Sequence, residues 1–157
     1  MELKGTDRLN KFFTKWLADH DFDAVAELGT DFSVDLSSNT IYYSVVEIAD
    51  TADRFVNFCK SLEPDLVEVD PFIVSFFHEL GHIETEDYWN TKDWERYDKF
   101  VEITKDDYTY FNFPIEREAT KWGCDYIVNN VEEIVEFVRD YSAMISDFYR
   151  INGVELE

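Results

Sequence analysis

The stretch "DPFIVSFFHELGHIETE", residues 70–86, decides how the rest of the chain is read. Asp70 stands where a helix N-cap belongs, and Pro71 suits the first helical position, where no backbone donor is needed. From Phe72 to Phe77 almost every residue is apolar, so the pattern predicts a buried helix. That helix carries two of the chain's three histidines, His78 and His82, with Glu79 between them. Positions i and i+4 project from one helix face, so the two imidazoles can grip one metal ion. Glu79 is rotated to the side, within reach of a metal-bound water. This is the division of labour in HExxH: His78 and His82 as ligands, Glu79 as general base. With only three histidines in the chain, a chance HExxH is rare. This one also falls where capping and periodicity independently put a helix.

Outward from this helix, apolar residues recur mostly at helical spacing. "TDRLNKFFTKWLADH" places Leu9, Phe12, Phe13, Trp16 and Leu17 on one stripe. "DAVAELG", Asp23 to Gly29, reads as a short helix closed by its glycine. The period then changes to two. Phe32, Val34 and Leu36 alternate before "SSN", and Ile41, Tyr43 and Val45 after it, which predicts a hairpin over about residues 31–47. "TADRFVNFCKSL" returns to helix, with Phe55, Phe58, Cys59 and Leu62 inward. "ETEDYWNTKD" reads as an acidic loop, "WERYDKFVEITK" as a helix and "DDYTYFNFP" as an aromatic loop. "IEREATKWGCDYIVNN" and "VEEIVEFVRDYSAMISDFYRING" are the last two helices. The last has apolar residues on more than one face, Val135, Phe137, Val138, Tyr141, Ile145 and Phe148, which favours burial over a partner surface. The expected fold is α+β: a single, mostly helical zincin-like domain over residues 1–157, with one small antiparallel sheet and an HExxH helix.

Fourteen Lys and Arg stand against 35 Asp and Glu, a formal net charge of -21. Such a surface repels phosphate backbones and anionic membranes, so direct nucleic-acid binding is not expected. Cys59 and Cys124 form neither CxxC nor a repeated spacing, and read as buried free thiols. "MELKGTDRLNKFF" has no signal-peptide core, and no apolar run approaches membrane-spanning length. The expectation is a cytoplasmic protein with no membrane partner.

A catalytic zinc site needs a third protein ligand and an open position. His20 sits at a helix end far upstream and reads as an ordinary C-terminal helix residue. The candidates are Glu116 and Glu118, two apart and so about 200° apart around the helix. They flank a stripe of Ile115, Ala119, Trp122, Gly123 and Tyr126, and periodicity does not choose between them. Asp125 is a candidate to orient a histidine Nδ1–H. Tyr88, Tyr108 and Tyr110 are candidate oxyanion donors, with nothing to select among them.

"FFHELGHI" followed some thirty residues later by "EREATKWGCDYI" resembles the ImmA/IrrE-type metallopeptidases. Members carry HExxH, usually as HELGH, and later a helix of the form E-x-E-A-x-x-[FW]-A. Here that helix offers Glu116, Glu118, Ala119 and Trp122, with Gly123 in place of the usual alanine. The resemblance spans residues 30–128. It implies a gluzincin-type zinc peptidase in which Glu118, beside the alanine, is the third zinc ligand. It also implies an intracellular enzyme that cuts a regulatory protein, so the expected partner is a protein or peptide substrate. The alternative is a non-catalytic acidic protein on a zincin scaffold, binding a basic partner or mimicking DNA.

Overall fold

The computed structural model describes residues 3–46, 49–66 and 70–153, which group into two compact units. One unit joins residues 1–45 to 130–157, and the other spans 46–129. The end of the expected hairpin, at residue 47, lies outside the described residues.

The first unit holds helix α1 (Thr6–Asp19), strands β1 (Val25–Leu28), β2 (Ser33–Asp35) and β3 (Thr40–Tyr43), and the long helix α7 (Val131–Ile151). The β2–β3 hairpin is antiparallel, as its alternation predicts, with Val34 opposite Ile41. The sheet is nevertheless mixed, in the order β1-β3-β2, because β1 pairs parallel to β3. The "DAVAELG" segment is therefore a strand and not a short helix. Four residues make one marginal helical turn at best, whereas β3 offers a full ladder, extended by Val25 N–H to Asn39 O and Gly29 N–H to Tyr43 O. Helix α1 secures the new edge through side chains. Asn10 Oδ1 accepts from Leu28 N–H at 2.8 Å, and Thr14 Oγ1 from Ala26 N–H at 3.0 Å. Leu9, Phe13 and Leu17 line the buried face of α1. The Phe13 ring meets Tyr43 at 4.6 Å and Phe137 at 5.9 Å. Helix α7 is buried along Ile134, Phe137, Tyr141 and Phe148, while Val135 is exposed, so only one of its faces is core.

The second unit holds α2 (Ala49–Leu62), α3 (Pro71–Glu84), a 3₁₀ turn (Glu86–Tyr88), α4 (Thr91–Ile103), α5 (Asp107–Asn112) and α6 (Pro114–Asn129). Two loops expected from the sequence are partly helical. The acidic stretch after α3 contains the 3₁₀ turn and an Asn90/Asp93 capping box that starts α4. The aromatic stretch contains α5, whose N-cap Asp106 accepts from Thr109 N–H at 3.1 Å. In both places a side chain satisfies otherwise orphaned helix N–H groups. No described helix is long and apolar enough to cross a membrane.

Helix α3 packs most extensively against α6. Its start is the predicted cap, Asp70 Oδ1 accepting from Ile73 N–H at 2.8 Å. Nine of its 14 residues are buried, from Ile73 to His82, which leaves no solvent face over that span. Two glycines permit the close crossing. A Cβ at Gly81 would overlap the Ala119 carbonyl oxygen and stand 2.9 Å from its carbon. A Cβ at Gly123 would stand 2.8 Å from the Phe77 carbonyl carbon and oxygen. That contact is a physical reason for glycine where the motif usually has alanine.

Gly81→Ala is accordingly expected to destabilise the protein. Alanine gains about 1 kcal/mol in helix propensity. Forcing a methyl group onto neighbouring backbone costs about 3 kcal/mol, the upper end of overpacking, because no flexible side chain can yield. A net loss of about 2 kcal/mol lowers the melting temperature by about 4–8 °C. Thermal unfolding followed by circular dichroism measures it, and an unchanged or raised midpoint would contradict the tight crossing.

Candidate metal centre

The α3–α6 crossing brings the two sequence motifs together. His78 Nε2 lies 2.9 Å from Glu116 Oε1, and His82 Nε2 lies 3.1 Å from the same oxygen. The two rings stand 4.7 Å apart, nearly perpendicular. All three residues are buried. Phe55 of α2 packs edge-on against the His78 ring at 5.3 Å and limits its rotation.

The carboxylate that meets both histidines is Glu116, whereas the resemblance implies Glu118 as the third ligand. Buried residues of α6 are Ile115, Glu116, Ala119, Thr120, Gly123, Cys124 and Ile127. This stripe is turned from the expected one, and Trp122 and Tyr126 are only half-buried. Glu118 is half-buried too, about 200° around the helix from Glu116. The α6 face that can approach the backbone of α3 is the one with small side chains, Ala119, Thr120 and Gly123, and Glu116 lies on it.

The partner of His78 Nδ1 is Thr120 Oγ1, at 2.7 Å, not Asp125. Thr120 Oγ1 donates its proton to the Glu116 carbonyl at 2.9 Å, so toward His78 it can only accept. His78 therefore donates a proton from Nδ1, and its Nε2 meets Glu116 Oε1 as a second N–H donor when the ring is protonated or as a lone pair when it is neutral. Two imidazole nitrogens and a carboxylate oxygen thus crowd one spot. Only shared protons or a cation can reconcile them.

Electrostatics record the same crowding. Burial by itself would raise the Glu116 carboxyl, but hydrogen bonds from His78 and His82 outweigh it and hold the group well below the usual carboxylate range. Burial by itself would lower His78, yet the bond to Glu116 and the charge of Glu79 raise it. An unpaired carboxylate in such a site would cost several kcal/mol in lost hydration, about what burying two phenylalanines contributes. Glu116 is far from unpaired. Its Oε2 accepts from Tyr97 Oη–H at 2.6 Å.

Glu79 completes the cluster. Ligand atoms of His78, Glu79 and His82 lie within 4.8 Å of one another, a group that could hold a metal ion. By distance alone Glu79 could serve as a ligand. Direction separates the two carboxylates, since Glu116 makes the contacts to both Nε2 atoms from the facing helix. Glu79 stands about 100° around α3 from His78. Burial raises its carboxyl above the ordinary value, opposed by both histidines and reinforced by Glu116.

The remaining candidates fall elsewhere. His20 caps α1 in the first unit, with Nδ1 on Trp16 O at 2.7 Å and Nε2 on Glu133 at 2.5 Å. Tyr88 and Tyr108 are exposed. Of the three candidate tyrosines only Tyr110 joins the network, with its hydroxyl 2.9 Å from that of Tyr97. Thr120 and Tyr97 are additions from the structure. Thr120 could have been found as the i+4 neighbour of Glu116, whereas Tyr97 lies on a separate helix and had no local signal. Cys59 and Cys124 are buried and form no disulfide. The thiol–thiol hydrogen bond, together with burial, holds Cys59 above the ordinary thiol range, which suits inert core residues.

Comparisons with family models, characterised proteins and solved structures return no match to this chain.

Proposed function

We propose that this chain is a zinc-dependent metallopeptidase, with His78, His82 and Glu116 as ligands and Glu79 as general base. The observation that carries the proposal is the convergence of both Nε2 atoms on one Glu116 oxygen, with the Glu79 carboxylate beside them. Two histidines and one carboxylate are the donor set of a catalytic zinc, three protein ligands with a fourth position open. A structural site closes all four positions and has no use for an extra carboxylate.

Zinc, when bound there, supplies Lewis acidity toward a peptide carbonyl and toward water. The protein does the rest. Thr120 holds the His78 tautomer, and Phe55 holds its ring. Glu79, a carboxylate beside the two histidines, is suited to take a proton from water and return it to the leaving amine. The proposed substrate is a protein or peptide. The resemblance to ImmA/IrrE-type enzymes supports a regulatory protein as that substrate.

The test begins with metal-free full-length protein supplied with zinc and a fluorescence-quenched random peptide library. About one zinc per chain is expected, with hydrolysis that disappears on chelation and returns with added zinc. Failure of the wild type to take up zinc would end the proposal. Stoichiometric zinc without cleavage would point to the acidic binding scaffold instead.

A further inference from the structure

We infer that Tyr97 is a positioning residue that holds Glu116 to one-oxygen ligation, and that Tyr110 orients Tyr97 for this task. The inference rests on the metal-site reading above and extends it to two residues of α4 and α5. Glu116 uses its oxygens differently: Oε1 faces both histidines, and Oε2 accepts from Tyr97 Oη–H at 2.6 Å. That length falls in the range of charge-assisted O–H···O⁻ bonds, the stronger kind. A tyrosine hydroxyl has one proton. Tyr97 spends it on Glu116, so at the 2.9 Å contact Tyr110 is the hydroxyl able to donate, and Tyr110 also interacts directly with Glu116. The result is a directed chain, Tyr110 to Tyr97 to Glu116, in which each donation strengthens the next.

Packing holds the chain in place. The Tyr97 ring meets Trp94 edge-on at 5.5 Å and Phe113 at 5.7 Å, so its hydroxyl is aimed by neighbours on two sides. With Oε2 tied down, Glu116 presents a single oxygen to the histidine pair. A carboxylate released from Tyr97 can swing both oxygens inward and fill the position that a catalytic ion must keep open. The same commitment leaves Tyr97 no proton to offer an oxyanion.

The experiment compares full-length wild type, Tyr97→Phe and Tyr110→Phe, each prepared metal-free and checked for folding by circular dichroism. Zinc affinity is measured against a competing chelator, and coordination by the visible absorption of bound Co²⁺, whose bands weaken as coordination number rises. Tyr97→Phe is expected to bind zinc about 10–100-fold more weakly and to weaken the Co²⁺ bands. Tyr110→Phe should move both readouts the same way, by less. If the wild type binds metal and a folded Tyr97→Phe matches it in both readouts, the inference is overturned while the metal site stands. Should Tyr97→Phe fail to fold, Tyr110→Phe decides, and wild-type behaviour there overturns the inference. Wild type that binds no metal overturns both.

Discussion

Glu79→Gln is expected to keep about one zinc per chain and to lose peptide hydrolysis by about 10²–10⁴-fold. Glutamine has the shape of glutamate and can occupy the same buried position on α3, so the fold and the three ligands should survive. What it lacks is an oxygen that can accept a proton from water. Burial raises the Glu79 carboxyl while the two histidines pull it down, and the net shift is upward from the ordinary value. Zinc content and hydrolysis of a quenched peptide, measured on the same preparations, separate metal binding from chemistry. Cleavage persisting at the wild-type rate in Glu79→Gln would remove Glu79 from the mechanism.

The second large effect concerns the carboxylate ligand. Glu116→Ala should abolish stoichiometric zinc binding, and Glu118→Ala should leave it intact. Among the described residues Glu116 alone places an oxygen at 2.9 and 3.1 Å from the two Nε2 atoms. Its loss should exceed the 10–100-fold that removal of an outer hydrogen-bond partner costs. The half-buried Glu118 lies about 200° away on the helix and should matter little. Zinc per chain by elemental analysis, after exchange into dilute zinc buffer, reads both variants. Zinc retained in Glu116→Ala and lost in Glu118→Ala would reverse the assignment and restore the ligand that the family resemblance implies.

The charge pattern of the chain carries a hint of that assignment without deciding it. Three, four, seven and eight residues beyond Glu116 stand Ala119, Thr120, Gly123 and Cys124, all small and uncharged. Three and seven beyond Glu118 stand Lys121 and Asp125, the mark of a wetter face. The resemblance pointed to the glutamate beside the alanine, and the packing of α6 on α3 favours the other. The strand at "VAEL" was less accessible. Ala26, Glu27 and Leu28 favour helix on their own, and their strand conformation comes from a parallel partner 15 residues away, Val25 opposite Thr40.

The sequence by itself determined helix α3: its Asp70 cap, its apolar body and the His78–Glu79–His82 spacing are local, and helical geometry converts them directly into a shared face. It also determined the β2–β3 hairpin, whose alternation and turn lie within one short segment, and the helical character of most of the chain. Only the tertiary structure decided what meets that face. Which glutamate completes the site, that Thr120 sets the His78 tautomer, and that Tyr97 and Tyr110 steady the carboxylate all depend on how α4, α5 and α6 pack around α3. Those contacts join residues 13 to 42 positions apart. Periodicity describes one helix at a time, and the rotation of one helix against another is set by side-chain volumes at the crossing, here by Gly81 and Gly123.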